Sequence, residues 1–357
     1  SMKNLYKYLI TLFFVGLIAF PSDNLYAGNK DRSGQAGASE LLINPWARSS
    51  GWGSVSTANV RGLEGMFCNV AGIAFTQGTE LIFSHTSWLK GSDVNIFSFG
   101  LTQKIGETGV IGLSVMSMRF GDIDITTVDL PEGGIGTFSP SLLNVGIAYG
   151  KAFSNSIFAG IIFKIISESI SDINAQGLAI DVGIQYVTGE LENVKFGIAL
   201  KNIGPRMKFS GDGLSLKTYI PSQTTSFTMN QRASEFELPA ALNIGAAYDF
   251  IISDAHRITL AGNFQSNAFT KDQFTGAMEY SLKDYVMLRA GYTYEEGIGK
   301  PVDDPEYRTT VSKGFSAGFT VQVPLNKEKG SSFAVDYSYR ATDNFNGTHS
   351  IGARINL

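Results

Sequence analysis

The feature that most constrains this chain is a strict alternation of apolar and polar side chains, kept up over stretches of about ten to twelve residues. In SSFAVDYSYRAT (331–342), Phe333, Val335, Tyr337 and Tyr339 fall on one face, opposed by Ala334, Asp336, Ser338 and Arg340. GFSAGFTVQVPL sets Phe315, Ala317, Phe319, Val321, Val323 and Leu325 against Ser316, Gly318, Thr320 and Gln322, and VMLRAGYTY sets Val286, Leu288, Ala290, Tyr292 and Tyr294 against Arg289 and Thr293. A two-residue period means strand, and strands of soluble domains centre on about five to six residues. About ten residues is instead the length that crosses a bilayer at a tilt. The apolar face then meets lipid. An arginine there costs about 2–4 kcal/mol at mid-membrane, so Arg289, Arg340 and Arg354, all in the polar phase, are expected to face the lumen.

Connections give an independent reading. About fourteen strands can be placed, starting near residues 79, 94, 109, 141, 156, 177, 193, 238, 256, 272, 285, 314, 331 and 347. From the second connection onward every alternate one is tight, whereas 119–140, 205–237 and 297–313 are long. Short turns at one rim and long loops at the other describe an all-β fold, an antiparallel transmembrane β-barrel of about fourteen strands with both chain ends at the short-turn, periplasmic rim. Forty glycines, fourteen tyrosines and twenty-five phenylalanines with only 17% charged residues suit a lipid-exposed sheet better than a soluble enzyme.

Residues 1–27 have the layout of a secretory signal: Lys3 and Lys7, an apolar run from Leu9 to Phe20, and Ala27 as a small residue for cleavage. Cys68 is the only cysteine, so no intramolecular disulfide forms, and it is expected to be a small buried residue. Residues 28–75 are glycine-rich and precede the barrel, 76–357. Fourteen strands enclose more space than wall side chains fill, so this segment is expected to enter the lumen from the periplasmic rim as a plug. Pro45, Gly51 and Gly53 set its turns, and Arg48 is expected to meet a luminal carboxylate such as Asp336 or Asp249.

The segment LLINPWARSSGWGSVSTANVRGLEGMFCNVAGIAFTQGTELIFSHTSW resembles the N-terminal signature of the PorV/PorQ family of Bacteroidota outer-membrane proteins. The matching residues are Leu41, Leu42, Pro45, Ala47, Arg48, Gly51, Gly53, Ala58, Asn69, Ala71, Gly72, Ser84, His85 and Trp88. Val70 stands where the family has proline, Trp52 where methionine is common, and Leu357 lacks the aromatic ring with which many barrels end. The resemblance implies a FadL-like barrel in the outer membrane and, for the PorV type, a role in type IX secretion. Its partners would be a SprA-like translocon barrel, cargo proteins with C-terminal signal domains, and a PorU-like sortase of the attachment complex, with lipid around the wall.

The chain is not expected to be an enzyme, and no cofactor or metal is expected. His85, His256 and His349 lie in separate strand-end regions, with His85 expected to pack on Trp88. The loop acids Asp122, Asp124 and Asp129, and Asp303, Asp304 and Glu306, fit no calcium cradle. A net charge of -4 argues against nucleic acid. The 205–237 loop carries Met207, Phe209, Tyr219, Ile220, Phe227 and Met229 among serines and threonines, and two readings of it stand: a protein-binding surface or a lid over the barrel mouth. Two functions follow, a protein-binding shuttle whose loops face the cell exterior or a FadL-like transporter of hydrophobic small molecules. The polar lumen phase, with Asp249, Asn263, Gln265, Gln322 and Asp336, leans toward the first.

Overall fold

The computed structural model describes residues 32–219, 225–302, 308–326 and 330–357. The signal-like segment 1–27, Ile220 and the acids at 303, 304 and 306 lie outside the described residues. Fourteen strands close into one antiparallel barrel. They are β1 Thr79–Trp88, β2 Val94–Ile105, β3 Gly109–Phe120, β4 Ser141–Ala152, β5 Ile157–Ile170, β6 Ile173–Thr188 and β7 Val194–Ile203. The second half is β8 Ala241–Ser253, β9 His256–Asn267, β10 Gln273–Leu282, β11 Val286–Glu295, β12 Ser312–Asn326, β13 Ser331–Thr342 and β14 Thr348–Asn356. Closure is made by β1 pairing with β14, Glu80 opposite Asn356 through Ser87 opposite His349. Closing the sheet leaves no unpaired edge, which a bilayer without water does not tolerate. The largest offset from the expected starts is at β6, which begins at Ile173 rather than near 177.

The wall obeys the alternation. Phe83, Ile147, Phe163, Ile184, Leu288, Tyr294 and Ile351 are each about half exposed on the outside, while Arg289, Asp336, Ser338 and Arg354 are buried inside. Among the described residues no helix is long and apolar enough to cross a membrane; the strands do so. Among the described residues the long connections carry their own short pairs, Ile123–Asp124 with Thr137–Phe138, Met207–Lys208 with Glu235–Phe236, and the hairpin Ser215–Tyr219 with Ser226–Asn230.

Residues 36–76 run through the lumen in short turns, Ser39–Leu42, Ala47–Ser50, Gly65–Cys68 and Val70–Phe75. Their direction differs from expectation. Gly37 N–H donates to Glu237 O (3.0 Å), and Arg32 pairs with Glu237 (3.2 Å) while lying over the Phe269 ring, all at the long-loop rim. The segment leaves at the opposite rim, where Thr76 Oγ1 meets Thr102 Oγ1 (3.2 Å) and Lys104 Nζ donates to Gln77 (3.0 Å). The described chain therefore threads the barrel from the long-loop rim to the short-turn rim. The ion pairs and strand contacts of residues 32–38 fix that direction, and none of them is readable from a local pattern.

Candidate functional site at the plug and the long-loop rim

The plug is held by backbone contact with glycines of the wall. A Cβ on Gly160 would come 2.6 Å from Val70 O, and one on Gly291 would come 2.7 Å from Trp52 O. Between these contacts sit small apolar clusters: Trp52, Val55 and Ala58 against Ala247 and Ala261, and Met66, Val70 and Ile73 against Val110, Ala148 and Ile162. Inward-facing small residues let the plug approach, and outward-facing large ones meet lipid, which is how the glycine content and the alternation act together.

Polar hubs fix the plug's shape. Asn44 Nδ2 donates to Ser49 Oγ and Ser54 Oγ (both 2.9 Å), and its Oδ1 accepts from Trp46 N–H (3.0 Å). Asn69 Oδ1 caps the Val70–Phe75 turn through Ala71 N–H, while its Nδ2 donates to Thr57 O (2.7 Å) and to the wall carbonyl of Ile184 (3.0 Å). Asn69→Ala is expected to cost about 1–3 kcal/mol, because it leaves buried backbone groups of plug and wall unpaired. A lowered urea midpoint in refolding vesicles checks this.

Charges cross from plug to wall. Arg48 Nη2 lies 3.9 Å from Glu279 Oε2, which also accepts from Arg289 Nε at 2.5 Å. Asp336 pairs with Arg354 (3.7 Å) and accepts from Thr320 Oγ1. Asp249 pairs with Lys195 (2.5 Å) and Thr259 (2.7 Å). The ion-pair partner of Arg48 is thus Glu279, shared with Arg289 of the neighbouring strand, rather than Asp336 or Asp249. Glu80 accepts from Leu63 N–H (2.8 Å), and Glu64 from Ser49 N–H (2.9 Å). Glu279 and Glu80 share strand phase with the inward residues Thr275 and Ser84, a signal that marks them as luminal without naming their partners.

Glu40, buried in the plug, has its carboxyl pushed up to about 7, first by burial and then by the neighbouring Glu168 carboxylate. A carboxyl whose folded pKa is raised contributes stability that is present below its unfolded value and lost as pH rises through about 7. Glu40→Gln is expected to leave thermal stability unchanged near pH 4 and to raise it by up to about 3 kcal/mol near pH 8, read as a widening gap in melting midpoints.

The other sequence-predicted residues separate. Pro45 lines a small cavity with Glu40 and Trp46, and Ala47 packs on Gly352. Gly51 and the wall's Gly318 pass back to back; Gly53 takes a positive φ of 74°; and Gly72 lies against Val60. His85 and Trp88 do not pack together. Residues three apart in a strand point to opposite faces, so His85 bonds Asn95 Oδ1 (3.1 Å) and faces Phe97 outside, while Trp88 lies under the Arg340 guanidinium. Met207, expected on the exposed loop, is buried against Gly177 and Ile166, and Phe209 is half-buried on Phe236. These two cover the mouth because their short strand pair folds back onto β6. Tyr219, Phe227 and Met229 are exposed on the hairpin beyond it.

The family described as type IX secretion system membrane protein PorP/SprF matches residues 74–355, which is nearly the whole barrel. The chain belongs to this family. Membership makes it a membrane protein of the type IX secretion system, in agreement with the secretion system implied by the PorV/PorQ resemblance. No curated protein matches it. Among solved structures it is similar to the Pseudomonas putida toluene transporter TodX, with 12% identity, TM-score 0.56, and 88% of this chain and 97% of that one covered. It is also similar to the CymD monoaromatic hydrocarbon channel (12%, TM-score 0.51, 88% and 97%). The Ralstonia pickettii toluene transporter TbuX is a third such neighbour (11%, TM-score 0.50, 85% and 97%). At these identities the likeness is one of fold: a closed fourteen-stranded antiparallel barrel of the transmembrane type.

Proposed function

We propose that this PorP/SprF family member is a closed docking barrel of the outer membrane. Its long-loop rim faces the cell exterior and binds the C-terminal signal domain of cargo released by a SprA-like translocon, then passes that cargo to a PorU-like attachment complex. The observation that carries this reading is the hairpin Ser215–Tyr219 with Ser226–Asn230, which stands beyond the barrel mouth with Leu216, Tyr219, Phe227 and Met229 exposed. Aromatic and methionine side chains on a polar ribbon suit an adaptable protein interface. The plug supports the same reading, because ion pairs, amide hubs, close backbone contacts and small apolar clusters together pack it against the wall.

The solved neighbours TodX and CymD are a toluene transporter and a monoaromatic hydrocarbon channel, and a transporter of hydrophobic molecules is the competing reading. It needs an apolar route. Of two cavities in the lumen, the more apolar measures about 50 Å³ and has Glu40 and Lys164 in its wall, and the other, of about 150 Å³, mixes amides, hydroxyls and Lys201 with Leu42, Phe67 and Ala241. Replacing Tyr219 with a photo-crosslinking residue in cells that secrete through this system separates the readings. Adducts with secreted proteins carrying C-terminal signal domains are expected; adducts with lipid alone would sink the docking role.

A further inference from the structure

A cavity of about 150 Å³ lies between the plug and strands β7 to β10, walled by Lys201, Asn243, Asn263, Gln265, Asn267 and Gln273. Its size matches the engineered cavity of about 150 Å³ that stays dry and holds benzene, but amides and hydroxyls line it beside Leu42, Phe67 and Ala241, which calls for a largely polar occupant. Among the described residues, one group in it lacks an anionic partner and another lacks a hydrogen-bond donor. Lys201 is 6% exposed, and among the described residues no carboxylate reaches ion-pair distance of its ammonium, which sits 3.6 Å from the centre of the Phe67 ring. The neighbouring acid, Asp181, is engaged by Lys164 at 2.5 Å and by Asn202 N–H at 2.7 Å. An aromatic face offsets about 2 kcal/mol of a desolvated cation, whereas desolvation costs several. On the same wall, two strands away, Asn263 spends its amide N–H on Asn243 Oδ1 (3.1 Å), and its own Oδ1 accepts nothing among the described residues.

An unpaired cation asks for an anion, and an orphaned acceptor asks for a hydroxyl. We propose that this cavity binds a small hydroxy-carboxylate of about six to ten heavy atoms, its carboxylate on Lys201 and a hydroxyl donating to Asn263 Oδ1. Water alone fills the space but does not neutralise Lys201. The site lies beneath the long-loop rim, against the plug turn Gly65–Cys68, so an occupant ties the plug to the wall on the side where the hairpin rises. The proposal stands independently of what docks on that hairpin.

Cys68 lines the cavity and reports on it. Burial pushes its thiol up to about 12, so it reacts slowly and any shielding by a ligand is readable as a rate. The full chain in nanodiscs is titrated with D-glycerate and with acetate by calorimetry, and Cys68 is followed with a small methanethiosulfonate. Glycerate is expected to bind at one site and to slow Cys68 modification. Lys201→Met is expected to weaken it by at least about tenfold, and Asn263→Leu to weaken glycerate, but not acetate, by about three- to tenfold. Heat-modifiable migration on gels confirms that each variant folds, and Asn263→Leu decides the matter if Lys201→Met does not. The site is overturned if glycerate gives neither heat nor protection in the wild type, if acetate binds as tightly as glycerate, or if a folded Lys201→Met or Asn263→Leu binds glycerate like the wild type.

Discussion

Gly291→Val is expected to free the plug from the wall while leaving the barrel closed. The new side chain would occupy the space held by Trp52 O, whose distance from the added Cβ would be 2.7 Å. Overpacking a core costs about 1–3 kcal/mol when side chains can shift, and here the obstacle is backbone in a segment pinned on both sides. The segment carrying Trp52, Val55 and Ala58 then loses its contacts with Ala247 and Ala261. Trypsin should cut after Arg48 and Arg61, and planar bilayers should pass current through a fourteen-stranded lumen no longer filled. Gly276→Val is the matched control. It lies in the adjacent strand, and an added Cβ there meets nothing within 4 Å, so protection and a closed lumen should persist. If Gly291→Val stays as protected as Gly276→Val, the plug is not held by these close approaches.

Glu279→Gln is expected to be the most damaging single charge change. It strips the shared carboxylate from Arg289, whose side chain is fully buried, and from Arg48 of the plug. Removing one partner of a buried pair costs about 3–5 kcal/mol, because the remaining charge is left uncompensated. The readout is the urea midpoint of unfolding from vesicles. Arg48→Met should cost far less, its pair being longer and its side chain partly exposed. Glu279→Gln combined with Arg289→Met should recover most of the loss, since an apolar replacement of a buried pair is often close to neutral. A loss under about 1 kcal/mol for Glu279→Gln would class the pair with weak surface bridges.

The strands were legible because their period is local: Phe333 to Tyr339 outside and Ala334 to Ser338 inside follow from chain geometry alone. The same phase placed Arg289 and Arg354 in the lumen. Pairings between segments far apart in sequence were not legible. Arg48 finds Glu279, a carboxylate already shared with Arg289, rather than Asp336 because the barrel register and the plug's path decide which carboxylate lies within its reach, and Asp249 pairs with Lys195 across the strand pair. Direction of threading has no local signature either. The separation of His85 from Trp88 was within reach of the strand period, while the burial of Met207 depended on a two-residue strand pair that no pattern announces. Lys201 and Asn263 were visible as polar residues, but their lack of partners is a property of the closed lumen.

The most direct test of the docking account is co-purification from outer membranes in mild detergent. A C-terminally tagged chain is compared with one whose hairpin residues 215–230 are replaced by a glycine-serine linker. The account predicts that a very large barrel and secreted proteins bearing C-terminal signal domains come down with the intact chain and are lost with the replacement. Unchanged recovery after the replacement, or a barrel that comes down alone with stoichiometric fatty acid or hydrocarbon, would contradict it and favour the transporter.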